Sequence, residues 1–454
     1  MTLASEVETV GALLKKYYES GPAKKQFFDD PDILRRVQKN RRDAKAGHAV
    51  IGLHTTRNPG IGAAANGAAL PAAGKQGYNQ ATVPMKYVYG VTQFTGVDIA
   101  NSRNNAAAFA NVMTANMDGL ITDMKADVNR QLFADGSGIL ALAAGDQSST
   151  VTAIYPYLWA DADKYLQTVG MRVEVYALTD FSTSNVTTAS YVLSTAGTAH
   201  TNMYTTSGGI GTSTAGDIIG RYGSLQLANA TDITQYEMMG IDGIVGRDLV
   251  GDSSYSYDYG DETGTAVINF TGPEGQAYDY RGPGSASNNN VLQSIDAASN
   301  AFWRSKIWAN GGAPRAITFT LLDDAIGYLR TVQGSKLSVL WTTYKVRQAI
   351  MDLIREDRRY VDSMEVDAAV RVPSYDGIPM LVSGDCPRGR IYLLDESELT
   401  FYIQDDFQFI VDGKGNNLFW QAGYDGYTVT GKVYANLGTS SRHRHGKIID
   451  ILES

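Results

Sequence analysis

Between Gly60 and Gly77 the chain carries five glycines (Gly60, Gly62, Gly67, Gly74 and Gly77) among many alanines. A run of that composition has too little apolar surface to pack a core of its own. After it, Val83, Met85, Tyr87, Tyr89, Val91, Val97 and Ile99 all fall on odd positions, and a period of two puts them on one face of a strand. Residues 48–100 therefore read as one long β-hairpin with a glycine-rich tip, and Pro84 suits an edge strand. A two-stranded ribbon is marginal alone in water, so this one is expected to lie across another molecule.

The flanking segments sharpen that expectation. Residues 1–47 hold ten Lys or Arg (Lys15, Lys16, Lys24, Lys25, Arg35, Arg36, Lys39, Arg41, Arg42 and Lys45) against seven acids. This arm is thus +3, although the chain as a whole is −9. Pro22 and Pro31 break it into short helical pieces, and Ile33, Leu34 and Val37 supply one apolar turn, too little for an independent core. The arm reads as a solvated tail, or as a segment packed on a neighbouring subunit or facing nucleic acid. Residues 104–134 form the strongest helix. Met113, Met117, Leu120, Met124, Val128 and Leu132 recur at steps of three or four as a packing stripe, Asn101, Ser102 and Asn104 are N-cap candidates, and Gly136 is a stop. About thirty residues make a rod of roughly 45 Å.

Beyond it the periodicity changes. Residues 150–290 are rich in Thr, Ser, Gly, Asn and Tyr, with short strands expected at 171–178, 191–194 and 266–270 and with Tyr255, Tyr257 and Tyr259 alternating on one face. This span reads as an inserted β-rich domain. Residues 291–405 return to mixed α/β, with helices over 321–332 and 344–354 (Val346, Ile350, Leu353 and Ile354 inward) and strands over 378–383, 390–394 and 399–404. Residues 406–454 hold one more β segment, 427–434, and a basic tail from Arg442 to Lys447.

The residues that carry chemistry are scarce. One cysteine, Cys386, excludes an intramolecular disulfide framework and a four-cysteine zinc site. Arg388 favours its thiolate and Asp385 opposes it, and no histidine is near in sequence, so Cys386 reads as an inert small residue. His443 and His445 are flanked by Arg442 and Arg444, which work against a bound cation, so they read as part of a surface tail. Asp323-Asp324 read as helix-start acids and Asp405-Asp406 as turn residues. Gly208-Gly209-Ile210-Gly211 lacks the lysine and helix of a phosphate loop. No nucleophile elbow or H-E-x-x-H motif occurs. No catalytic, cofactor-binding or metal-binding residue is expected, and the chain does not read as an enzyme. No run of about 18 apolar residues is present to span a bilayer, the longest apolar window being 139–144. The N-terminus lacks the basic-then-apolar order of a secretory signal. The sequons at Asn185, Asn229 and Asn269 therefore read as chance matches in a Thr- and Asn-rich region.

The order of pieces, together with several local stretches, resembles the major capsid protein family of tailed bacteriophages, whose fold is shared with herpesvirus shell proteins. Asn129-Arg-Gln-Leu-Phe-Ala-Asp-Gly-Ser-Gly138 is similar to the end of that family's spine helix. Ser294-Ile295-Asp296 followed by Phe302-Trp303-Arg304 resembles the beginning of its axial domain. The stretch Tyr375-Asp-Gly-Ile-Pro-Met380, through Cys386-Pro387 to Ile391-Tyr392-Leu393-Leu394-Asp395, resembles that domain's central strands. The resemblance spans roughly 1–150 and 291–454 and is weak over the insertion.

It implies an α+β fold: an N-terminal arm (1–47), an extended loop (48–100), a spine helix and peripheral domain (101–150), a β-rich insertion domain (151–290), an axial domain (291–405), and a returning peripheral strand with a C-terminal tail (406–454). It implies a non-enzymatic structural protein of the virion, a viral capsid subunit. Such a subunit self-assembles into hexamers and pentamers of an icosahedral bacteriophage head, in the bacterial host cytoplasm, around packaged double-stranded DNA. The implied partners are other copies of the chain, portal and scaffolding proteins, a decoration protein on the insertion, and DNA on the inner face, with no membrane. Arg355, Arg358 and Arg359 would be interface residues. Two family features transfer poorly: only about 47 residues precede the ribbon, too few for a scaffolding segment, and Lys75, the tip's one lysine, has no identifiable asparagine partner for a covalent cross-link. Two other readings stand beside this one. A carbohydrate-binding or carbohydrate-active protein would use Tyr255 and Tyr257, and a DNA-binding protein would act through the basic arm.

Overall fold

A computed structural model describes residues 32–44, 47–66, 69–96, 106–134, 136, 138–143, 232–246 and 291–453, the last with short gaps at 298–299, 309, 311–314, 357–362, 368–369, 413–415 and 422, together with isolated strands between 154 and 270. The expectations for Pro22, Pro31, Val97, Ile99, the helix N-cap, Gly208 to Gly211, Tyr259, Arg358 and Arg359 lie outside the described residues, as do the side chains of Met113 and Arg355.

In chain order the first half runs β1 (Gln38–Asn40), β2 (His48–Thr56), β3 (Gly77–Pro84), β4 (Lys86–Thr95) and α1 (Ala106–Phe133). A series of short strands follows: β5 (Ile139–Ala143), β6 (Ile154–Pro156), β7 (Arg172–Tyr176), β8 (Tyr191–Thr195), β9 (Thr205–Ser207), β10 (Ile218–Arg221), β11 (Leu225–Asn229) and β12 (Asp232–Gln235). A one-turn helix α2 (Ile241–Val245) precedes β13 (Tyr255–Asp258), β14 (Val267–Phe270), β15 (Val291–Leu292), β16 (Ile295–Asp296) and β17 (Lys306–Trp308). The remainder is α3 (Phe319–Thr331), β18 (Val339–Thr342), α4 (Tyr344–Glu356), β19 (Ser363–Asp367), β20 (Val370–Tyr375), β21 (Ile378–Val382), β22 (Ile391–Leu394), β23 (Leu399–Phe409), β24 (Phe419–Trp420), β25 (Gly426–Thr439) and β26 (Gly446–Ile448). The fold is α+β, with helices set against largely antiparallel or mixed sheets.

Two sheets with a helix layer each make the body. The first is ordered β1-β23-β25-β24, with β4 also paired to β25 along its whole length. Helix α1 lies on its inner face. The expected stripe holds: Met117, Met124, Val128 and Leu132 are buried with Ile121 added, and they meet Val88, Phe94, Phe401, Phe407, Val429 and Val433. The second sheet is ordered β17-β26-β22-β18-β21-β20-β19. Its core joins Leu322, Ala325, Ile326 and Leu329 of α3 and Val346 and Ile350 of α4 to Leu340, Met380, Ile391, Leu393 and Ile448. Thr318 caps α3 by accepting from Leu321 N–H at 3.3 Å, as a threonine at that position commonly does. Asp376 and Gly377 both have positive φ in the β20–β21 hairpin, the left-handed pair that an Asp-Gly turn supplies. A third sheet, β6-β5-β10-β7-β8-β9, is built from the Thr- and Ser-rich region.

Several expectations are corrected. The ribbon is shorter than 48–100: among the described strands β2 and β3 pair only with each other, whereas β4 joins the first sheet. Nor is there one continuous odd-numbered face. Ala81, Val83 and Met85 point inward, but in β4 the buried residues are Val88 and Phe94, and Tyr87, Tyr89 and Val91 turn outward. Met85 interrupts the strands, its N–H donating to Gly47 O at 2.8 Å, and a one-residue slip exchanges the two faces.

The arm's apolar turn does not wait for a neighbour. Ile33, Leu34 and Val37 are buried in the chain's own first core, and β1 pairs in parallel with β23. Arg36 makes a two-pronged pair with Glu396, its Nη2 at 2.8 Å from Oε2. The basic stretch at the C-terminus is not a surface tail: Arg442, His445 and Lys447 are all buried, and β26 is an interior strand of the second sheet. Asp405-Asp406 lie inside β23 rather than in a turn, where register shifts accommodate them beside Lys432 and Arg41. Within the span read as an insertion, residues 237–246 belong to the body, since Met238, Ile241, Ile244 and Val245 sit in the first core.

Candidate interaction surfaces

The ribbon grows out of a small cluster at its base. Leu53 and Ala81, facing each other's strands, pack with Leu292, Ile295, Ala297 and Trp303, and Thr82 N–H donates to Gln293 O at 2.8 Å. On the other side of the base Ala49, Val83 and Met85 meet Tyr402. Beyond Thr56 that support ends. Nearly every described residue from 57 to 76 is exposed, Lys75 among them, with Ile61 and Leu70 at 84% and 85%. A large aliphatic side chain left in water forfeits about 1.5–3 kcal/mol of burial free energy, so the tip carries apolar surface that no described residue of this chain covers.

The outer face of the first sheet is a second such surface. Cross-strand register sets Tyr87 opposite Tyr434 and Tyr89 opposite Lys432. The Tyr87 and Tyr434 rings meet edge-on at 4.7 Å, Tyr89 and Tyr434 share a hydroxyl–hydroxyl hydrogen bond of 3.2 Å, and Lys432 Nζ stands 4.6 Å from the Tyr434 ring centre. Loss of solvation and the bond to Tyr434 push the Tyr89 phenol up to about 12. Trp420 and Tyr424 are exposed near the far end of the same sheet.

Between the two sheets lies a buried electrostatic joint. Asp242 of α2 accepts from Arg390 Nη1 at 2.7 Å, Lys447 Nζ at 2.8 Å and the Tyr392 hydroxyl at 2.7 Å. Burial alone would raise its pKa, but the two cations hold the carboxyl well below the usual range. Close by, Arg130 at the end of α1 donates to Glu237 at 2.6 Å and to Asp127 at 3.1 Å, and Arg442 Nε donates to Ile244 O at 2.9 Å. Residues 237–246 thus bridge α1 to the second sheet. The Thr- and Gly-rich composition around them hides this; the charged residues that make the joint, Arg130, Arg390, Arg442 and Lys447, are scattered over three other segments.

The remaining chemical candidates stay separate. Cys386 is buried, and desolvation raises its thiol well above the ordinary value despite Arg390, which removes the thiolate that reactivity needs. His445 accepts from Asp395 N–H through Nδ1 at 3.3 Å and has Thr439 Oγ1 at 3.1 Å from Nε2; burial, against the pull of Asp395, lowers it to about 4. Asp323 accepts from the Tyr375 hydroxyl at 2.6 Å, one turn inside α3. Among the described residues no group of three His, Cys, Asp or Glu is placed to hold a metal ion, and no helix is long and apolar enough to cross a membrane. Tyr255 and Tyr257 share a face of β13, opposite Phe270 and Ile268 of β14; their side chains lie outside the described residues.

No family model matches the sequence, and no curated protein matches it. Solved structures do align over most of its length. The cyanophage A-1(L) capsid asymmetric unit covers 92% of this chain and 90% of its own, at 14% identity and a TM-score of 0.47. Over nine-tenths of its length, the chain is similar to a phage capsid protein. A Gordonia phage Cozz structure covers 92% of this chain and 86% of its own at 8% identity and a TM-score of 0.42. The capsid of a native GTA particle covers 92% and 90% at 10% identity and a TM-score of 0.40.

Proposed function

We propose that this chain is a major capsid protein, a structural subunit that assembles with copies of itself into the icosahedral head of a tailed bacteriophage. The observation that carries the reading is the β2–β3 ribbon: a two-stranded sheet that joins no other described strand, apolar at an exposed tip, and set on a well-packed body. A folded subunit has no use for such a projection unless the missing cover comes from another molecule.

In this reading the ribbon lies over a neighbouring subunit within hexamers and pentamers. The sheet carrying α1 forms the peripheral domain, and the sheet carrying α3 and α4 forms the axial domain that meets its copies at capsomer centres. The basic arm faces the packaged double-stranded DNA, while portal, scaffolding and decoration proteins complete the head in the host cytoplasm. The test is direct. The full chain, expressed alone and with its candidate scaffold, is examined by light scattering and electron microscopy. Closed particles or capsomer rings are expected, and a monomer that persists at high concentration in both preparations overturns the reading.

A further inference from the structure

We propose that the side-chain amide of Asn436 links the inserted region to the ribbon, so that a load borne at the end of β12 resets the mobility of β2 and β3. The link lies within one copy and needs no neighbour, so it goes beyond the shell reading and does not rest on it. Asn436 sits in β25 at 2% exposure. Its Oδ1 accepts from Met239 N–H at 2.7 Å and from Leu437 N–H at 2.9 Å, and its Nδ2 donates to Pro84 O at 2.7 Å. Two donors meet the oxygen and a carbonyl meets the nitrogen, which fixes the orientation of the group. The resonance that flattens a peptide bond flattens this amide too, so its two ends move as one body.

Each end is tied to a segment with little slack. On the insertion side, only Tyr236 separates the end of β12, Gln235, from Glu237, which is paired with Arg130 at 2.6 Å. Met238 N–H donates to Gln131 Oε1 at 3.0 Å, and the Met239 side chain packs against both the first core and the cluster at the ribbon base. Movement of the β11–β12 hairpin therefore reaches Met239 N–H within a few bonds. On the ribbon side, the β4–β25 ladder ends at Lys86 and Ala435, and Pro84 has no N–H to extend it. The Asn436 side chain takes up the Pro84 carbonyl where β3 leaves the body. Another polar tie of the ribbon base, Thr82 N–H to Gln293 O, runs instead to the turn between β15 and β16 and bypasses 237–239.

The test uses the full chain, whose own Cys386 is buried, so that an added surface cysteine can be loaded alone. Tyr236→Cys, at an exposed position beside β12, is coupled to biotin maleimide and then bound by streptavidin, beside Asp123→Cys on the exposed side of α1 as control. Hydrogen exchange of peptides covering 48–56 and 77–84 is followed with and without streptavidin, in samples matched for assembly state by light scattering. The load at 236 is expected to speed exchange of 77–84 about fivefold or more, and the load at 123 to leave it unchanged. Asn436→Asp keeps the oxygen that Met239 and Leu437 meet and removes the donor to Pro84. In that background the response to the load should disappear, and Asn436→Ser takes its place if the aspartate variant does not fold. A merely structural role would change the basal exchange rate but not the response to a load. Equal exchange with and without the load at 236, an equal response to the load at 123, or a response that survives loss of the Pro84 bond overturns the link. None of these outcomes bears on whether the chain builds a shell.

Discussion

Asp242 is a residue whose loss should cost the fold heavily. Its one carboxylate answers Arg390, Lys447 and the Tyr392 hydroxyl, all buried. Asp242→Asn keeps the shape and removes the charge, so two buried cations lose the carboxylate that both of them meet. Breaking a buried pair from one side destabilises by about 3–5 kcal/mol. The sign with pH follows from the lowered carboxyl pKa. The unfolded group titrates near 3.8 and the folded one well below it, so the stabilisation is complete above the unfolded value and fades as the pH falls beneath it. Hydrogen exchange of the peptide covering 237–246, with thermal unfolding alongside, reads both effects. At pH 7 the variant should open this segment far more often than the parent; towards pH 2–3 the two should converge. Pairing Asp242→Asn with Lys447→Met should recover part of the loss, because an apolar replacement removes a buried ammonium that has lost this carboxylate. A single variant within about 0.5 kcal/mol of the parent at pH 7, or a gap that does not narrow in acid, refutes the reasoning.

His445 gives a second pH signature. Its folded value near 4 lies below the ordinary 6.5, so the unfolded chain binds the extra proton and stability falls as the pH drops from about 6.5 to 4, by about 3 kcal/mol; His445→Leu should flatten that part of a thermal-unfolding profile. Gly240 packs where a Cβ would strike the carbonyl oxygens of Gln131, Leu132 and Ala134, so Gly240→Ala should lower stability by about 1–3 kcal/mol and raise protease sensitivity at 237–246, whereas Gly119→Ala, in open space on α1, should not.

The parts of the fold legible in the sequence are those fixed by local periodicity. The α1 stripe from Met117 to Leu132 and the inward residues Val346 and Ile350 need only a 3.6-residue repeat. What stayed hidden depends on partners far along the chain. The odd-numbered alternation from Val83 to Val91 looked continuous because the break at Met85 is set by its bond to Gly47, not by any residue type. Arg442, His445 and Lys447 read as a charged tail because their partners, the Ile244 carbonyl, the Asp395 N–H and the Asp242 carboxylate, come from elsewhere. Ile33 and Leu34 form too short an apolar run to declare which surface they cover. The ribbon tip's want of a core of its own was legible from its composition; the outward turn of Tyr87, Tyr89 and Val91 was not, since it exists only after the strand phase has slipped.

The joint at 237–246 has a consequence for how the chain tolerates growth. Ala134 accepts a hydrogen bond from Gly243 N–H at 3.4 Å, and Gly136 lies against Met238, so the excursion between them leaves and rejoins the body at a single point. Closing a loop grows dearer only logarithmically: a tenfold longer excursion adds about 2 kcal/mol. An ancestor with a short turn here and a descendant with a hundred residues would share one core, and the added length would be free to diverge without disturbing the packing of the body.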